Sequence, residues 1–294
     1  MLLEQCVMLY EMYLETMGKS ESTLRNYHVD GMQFLKFARE LFERTFDITE
    51  DTDAFYALCI NYTTHLNHSF KANTANRKRS NLRSFIKYLY FRNWIEKDFS
   101  DDLLHLDREF KDINMISEKT VEKVEEMLYK DLLCTSDTIQ KLKHFRNYLI
   151  LLIFKEFGIK TSDILELTWG HIQEKDNVCY IYTPSKQRLL CTPELHKVIM
   201  EYRACYYERF KKIERYPLWT NSNLSEPNAI EGKVLERLFA KLSCKFDKKI
   251  TPMSYRYRHI HKIDQVKKSV SDKAAIVGYS QSSVYIEKRN RIKT

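Results

Sequence analysis

Residues 250–261 read ITPMSYRYRHIH, and the organisation of the rest of the chain follows from them. Thr251 is a helix N-cap residue, and Pro252 fits the first helical position, where its missing N–H costs nothing. Arg256, Arg258, His259, His261 and Lys262 follow within two turns. The start of a helix lined with arginine is a natural phosphate holder, because free backbone N–H groups and paired guanidinium donors point the same way. Further on, Tyr285 stands in a basic tail. An arginine helix followed by such a tyrosine points to chemistry on a phosphodiester.

The charge around this stretch is one-sided. Residues 245–294 carry 13 lysines and arginines against 4 acidic residues, and residues 71–92 carry 7 basic residues and no acidic one. Two separated basic patches on an otherwise balanced chain read as a nucleic-acid footprint. The blander reading is solvated helix faces, but those usually mix both signs.

At 294 residues the chain is long for one small domain and comfortable for two. With 44% hydrophobic and 30% charged residues it is globular, and only 6 Gly and 5 Pro argue for a mainly helical protein. The 7 cysteines are widely spaced and form no C-x-x-C pair, which fits reduced thiols in a cytoplasm and excludes a zinc site. With Glu4 and no basic run before its apolar residues, the start is not expected to be a signal peptide, and the apolar run Tyr148 to Phe154 is too short to span a membrane.

Working back to the N-terminus, hydrophobic spacing predicts four helices. They cover 1–17, a stretch starting at Ser20 or Ser22, Ala54 to His65, and a fourth from Ala72–Thr74 with Leu82, Phe85, Ile86 and Leu89 inward. The other face of the fourth is expected to carry Arg77, Lys78, Arg79, Arg83 and Lys87 against DNA phosphates. Residues 97–117, with Asp98, Asp101, Asp102 and Asp107, read as the linker region. The domain limits are set at 1–108 and 117–294, with 109–116 between them. Ser117 caps the next helix. A nearly all-apolar helix, Phe145 to Phe157, is expected at the centre of the second domain and ends at Gly158. Residues 178–192 are the one strong strand signal, a hairpin turning at Pro184–Gln187. Helices follow at 193–213 and 228–245, separated by a loop from Trp219 to Pro227.

This order of parts resembles the tyrosine recombinase (phage integrase) family. The resemblance is carried by SESTLRNYHVDGMQFLKF with TANRKRSNLRSFIKYLYFRNWI in the first domain, and by RNYLILLIFKEFGIKTSDILELTWGHI, YIYTPSKQRLLCTPEL, PLWTNSN and ITPMSYRYRH in the second. It implies a SAM-like helical core-binding domain followed by a tyrosine-recombinase-type catalytic domain. It also implies double-stranded DNA as partner, self-association on that DNA, and no metal, nucleotide cofactor or small-molecule substrate. In the family a tyrosine attacks the scissile phosphate, two arginines clamp its oxygens, a hairpin lysine protonates the leaving 5′ oxygen, and two further positions assist.

Carried over residue by residue, Arg256 matches the second arginine and Tyr285 the nucleophile. Lys186 matches the hairpin lysine, although another register puts Thr183 there. Lys160 stands where the first arginine is expected, Met253 where the first histidine is expected, and Tyr279 where the second His or Trp is expected. The interval from Tyr279 to Tyr285 is shorter than the family's, and little chain follows Tyr285 to reach a neighbouring subunit. Arg258 and Lys262 are expected on DNA. Two functions fit: a working or weakened site-specific recombinase of a phage or mobile element, or the same fold kept for DNA binding alone, as a repressor or accessory factor.

Overall fold

A computed structural model of the chain describes all residues except 43–45, 50–51, 108–112, 177, 212, 214–215, 222–225 and 294, with backbone only at 114 and 293. The chain forms two compact units, Met1–Phe110 and Lys111–Thr294. Among the described residues no helix is long and apolar enough to cross a membrane.

The first unit packs α1 (Leu3–Thr16), α2 (Glu21–Phe42), α3 (Thr52–Ser69) and α4 (Ala72–Phe91) around one apolar core. Phe34, Phe55, Leu58, Leu66, Phe85, Ile86 and Leu89 recur at helical spacing and are all buried there. The gap between the helix expected over 1–17 and the one expected from Ser20 or Ser22 falls between α1 and α2.

The reading of 97–117 as linker needs correction over its first half. Phe99 and Leu103 are buried in the first core, and Leu106 packs on it. Asn76 also holds Leu106 by both amide groups, accepting from its N–H and donating to its carbonyl, each at 2.8 Å. The apolar residues among the aspartates decide the matter, and the acidic composition concealed them. Residues 108–112 of that stretch lie outside the described residues.

The second unit begins with β1 (Ile113–Asn114) and α5 (Glu118–Leu133), whose N-cap Ser117 accepts from the Thr120 N–H as expected. The central helix is α6 (Thr138–Phe157), longer than the apolar run that announced it because Asp137 caps it about two turns before Phe145. Then come α7 (Thr161–Glu166), β2 (Ile172–Lys175), β3 (Val178–Tyr182) and β4 (Arg188–Leu190) in an antiparallel sheet of order β2-β3-β4. Sequence reading missed β2, whose side chains are mostly exposed and so show no alternation. α8 (Pro193–Phe210), α9 (Gly232–Phe246), α10 (Pro252–Asp264), α11 (Val270–Val277), α12 (Ser282–Asn290) and β5 (Ile292–Lys293) complete it, with β5 parallel to β1. α10 starts as its sequence requires, with Thr251 accepting from the Ser254 N–H and Pro252 in the first turn.

Candidate functional site

Arg256 lies in the first half of α10 and is 4% exposed. Its guanidinium donates to the Gly158 carbonyl at 2.7 Å, to the Val277 carbonyl at 2.9 Å and to the Tyr279 hydroxyl at 3.1 Å, with the Tyr279 ring 4.6 Å beneath it. Each carbonyl is a leftover of a helix end, where backbone acceptors lack intrahelical partners. Gly158 closes α6 in the left-handed conformation (φ +53), and a Cβ there would stand 2.5 Å from that of His259. Arg256 thus ties the ends of α6 and α11 to α10, and three of its five N–H donors are committed. His259, packed on Gly158, is held down to about 4 by burial and then by the Arg256 charge, so it is neutral near pH 7.

Two more of the expected residues are brought to the same end of the unit. Lys160 is the N-cap residue of α7, two residues after Gly158, and its half-buried side chain has no hydrogen-bond or ion-pair partner among the described residues. Lys186 sits at the exposed tip of the β3–β4 turn in the left-handed conformation (φ 66). Asp163 of α7 fixes that tip, accepting from the Ser185 N–H at 3.1 Å and its hydroxyl at 2.9 Å. On the other side Gln187 donates to the Ile276 carbonyl at 3.0 Å, with its amide against Gly278. Thr183, the alternative to Lys186, is buried inside the turn, where its hydroxyl accepts from the Gln187 N–H at 2.9 Å. These contacts hold the turn, α7, α10 and the end of α11 together, which brings the backbone carrying Lys160 and Lys186 to the end of the unit where Arg256 meets Tyr279.

Met253 and Tyr285 are placed differently. Met253 is 46% exposed in the first turn of α10 and carries no group able to move a proton. Tyr285 is fully buried in a small core with Tyr257, Ile260, Ala274 and Val277. Its hydroxyl donates to Asp264 at 3.1 Å, and Asp264 also faces Lys273 at 3.6 Å and Arg289 at 3.9 Å. Asp264 and Arg256 lie eight residues apart on α10, which sets their backbones about 12 Å apart along the axis. The phenol is therefore anchored at the opposite end of α10 from the arginine.

Burial first, then the Asp264 hydrogen bond and charge, push the Tyr285 phenol up to about 12. The unfolded chain releases this proton near 10. The resulting stability is therefore complete below pH 10 and is lost as pH rises through about 12. In Asp264→Asn the phenol is expected to titrate nearer 10. NMR titration of ring-labelled tyrosine, with Tyr285→Phe to assign the signal, checks this. An unchanged titration would show that Asp264 does not hold the hydroxyl.

The expected DNA-facing cations need the largest correction. Lys78 and Arg79 are 4% and 2% exposed. Lys78 donates to Asp30 at 2.7 Å and to Gln33, and Arg79 donates to Asn67, Asn76 and the Thr63 carbonyl. Arg258, 5% exposed, is bound to Glu118 and to the Lys155 carbonyl, and its charge and hydrogen bonds lower the Glu118 carboxyl. These three are internal ties. The reason is helical geometry: three consecutive residues, 77 to 79, sweep 200° of a helix and cannot share one face. Arg77 is exposed but paired with Asp30, and Arg83 is paired with Asp101. Lys87 and Lys262 are exposed with no ion pair among the described residues.

The contacts that Asp163, Gln187 and Asp264 make across the unit escaped sequence reading. Asp163 had a signal, an acidic residue in the first turn of a helix beginning at Lys160. Gln187 and Asp264 had none, because their partners are distant in sequence.

Residues 7–93 match the family model described as phage integrase, N-terminal SAM-like domain. Among solved structures, XerH site-specific recombinase bound to palindromic difH substrate in a post-cleavage complex is similar at a TM-score of 0.67 and 13% identity, over 90% of this chain and 75% of that one. A lambda integrase (75–356) dimer bound to a COC′ core site is similar at 0.64 and 13%, over 98% and 95%. The Tn1549 transposon integrase with circular intermediate DNA is similar at 0.62 and 13%, over 96% and 94%. No curated protein matches the sequence.

Proposed function

From the tyrosine recombinase fold of this chain and its SAM-like first domain, we propose that it is a site-specific binder of double-stranded DNA with impaired strand-cleaving chemistry. The observation that carries the reading is the burial of Tyr285 on Asp264, at the far end of α10 from Arg256. The similar XerH, lambda integrase and Tn1549 structures hold DNA, and that partner is carried over here as part of the proposal. Lys87 and Lys262, with exposed Lys248, Lys249, Lys267 and Lys268, supply uncommitted positive charge for a phosphate backbone.

In the chemistry that the resemblance to tyrosine recombinases would carry to this chain, the Tyr285 oxygen is the group that would attack phosphorus. The leaving 5′ oxygen takes a proton from Lys186, and Arg256 and Lys160 neutralise the non-bridging oxygens. Each departure weakens a named step. Lys160 keeps a charge but lacks the planar fork that grips two oxygens, and one lost transition-state donor costs about 2.7–4 kcal/mol. Met253 removes a proton-transfer group of a kind typically worth ~100- to 10,000-fold. Such losses do not simply add.

The second reading, a fold kept for binding alone as a repressor or accessory factor of a phage or mobile element, is favoured by the same Tyr285 burial. Both readings require electrostatic DNA binding. Affinity for a duplex selected by the protein from randomised sequences is expected to fall about 1000-fold or more between 50 and 200 mM salt. A salt-insensitive affinity would overturn both.

A further inference from the structure

Cys179 and Cys191 face each other at the base of the hairpin that carries Lys186. The register pairs Tyr180 with Leu190 and Ile181 with Leu189, which sets Cys179 opposite Cys191. The Cys191 N–H donates to the Cys179 carbonyl at 3.0 Å. Both residues are buried in the core of the second unit, so both thiols leave the sheet on its inner side. A hydrogen-bonded antiparallel pair brings its Cα atoms to about 5.5 Å, inside the range a disulfide spans.

The two sulfurs also interact. Each thiol shifts the other, Cys179 below the ordinary thiol range and Cys191 far above it. His196 lies on the Cys179 side and Glu156 on the Cys191 side. The other cysteines lack such a partner: Cys6, Cys59 and Cys205 are buried with burial raising each thiol, and Cys134 and Cys244 are exposed. Access does not require global unfolding. β4 has 3 residues, pairs among the described residues with β3 alone, and exposes Arg188 and Leu190. Short edge elements of this kind open locally.

We propose that Cys179 and Cys191 are an oxidation site, a vicinal dithiol that a small hydroperoxide converts to a disulfide closing the base of the hairpin. The Cys179 thiolate attacks a peroxide oxygen, the O–O bond breaks, and a sulfenic acid forms as hydroxide (for hydrogen peroxide) leaves and takes up a proton. The Cys191 sulfur, giving its proton to solvent, then attacks the sulfenic sulfur. The S–S bond forms, the S–O bond breaks, and the hydroxide leaves as water. Two thiols are oxidised and one peroxide is reduced to two waters. The crosslink restrains the strands that lead to Lys186, whose turn is otherwise held by Asp163 and Gln187.

The test exposes the full chain to hydrogen peroxide, alkylates the remaining thiols after denaturation and maps the peptides by mass. The expected result is one linkage, Cys179 to Cys191, lost on addition of dithiothreitol and accompanied by amide exchange in β3 and β4 slowed about tenfold or more. In Cys191→Ala, Cys179 is expected to stop at the sulfenic acid and to react with dimedone. If peroxide oxidises Cys134 and Cys244 while Cys179 and Cys191 stay alkylatable, or if another pair links, the proposal is wrong. The wild-type peptide map decides this even if the variant fails to fold.

Discussion

Asp30→Ala is expected to destabilise the first unit by about 3–5 kcal/mol, the loss that follows when one partner of a buried ion pair is removed. Asp30 is 6% exposed on α2 and accepts from Arg77 at 2.5 and 2.9 Å, from Lys78 at 2.7 Å and from Asn81. All three donors lie on α4, so a single carboxylate fastens the two helices together. Without it the Lys78 ammonium, 4% exposed, is left buried with only the neutral Gln33 amide and the Phe70 ring beside it among the described residues. Amide exchange of α2 and α4 in the full chain measures the effect without interference from the second unit. The double variant Asp30→Ala, Lys78→Met removes the stranded charge and is expected to recover more than half of the loss. A single-variant effect below about 0.5 kcal/mol, the level of an ordinary surface substitution, would show the network to be ornamental.

Arg256→Ala is expected to destabilise the second unit by a similar amount. The Gly158 and Val277 carbonyls lose the donor they share, and a buried group left unsatisfied costs about 1–3 kcal/mol. Tyr279 loses its cation as well. Arg256→Lys is expected to fall between, because one ammonium cannot reach two carbonyls and a phenol lying in different directions. Denaturant unfolding gives the total, and amide exchange is expected to quicken first in α10 and α11. If Arg256→Ala lowers DNA affinity and leaves stability unchanged, the guanidinium is a surface phosphate contact rather than a tie between helix ends.

Local chemistry made much of this fold legible. Thr251-Pro252 fixed the start of α10, Ser117 that of α5, Gly158 the end of α6, and Pro184–Gln187 the hairpin turn. Each signal acts within a few residues. The basic face of α4 was misread although the information was present. Leu82 marks the core side, and Arg79 and Lys78, three and four residues before it, lie on that side. Counting charge without phase turned two internal ties into surface cations. What no local signal carries is partner choice across the chain. Asp30 with Lys78, and Asp264 with Tyr285, are joined only by folding. The same limit applied to the site. The sequence placed Arg256, Tyr279, Lys160 and Lys186 in family order but could not say which way α12 turns its tyrosine.

The most direct measurement uses a series of duplexes carrying the protein's selected site, each nicked at a successive phosphate so that a cleaved fragment diffuses away and any covalent intermediate accumulates. With Tyr285 anchored on Asp264, Met253 unable to move a proton and Lys160 lacking a fork, the wild-type chain is expected to bind every duplex while forming at most a trace of denaturant-resistant adduct. An adduct that rises quickly to match the amount of protein, and disappears in Tyr285→Phe, would contradict the account.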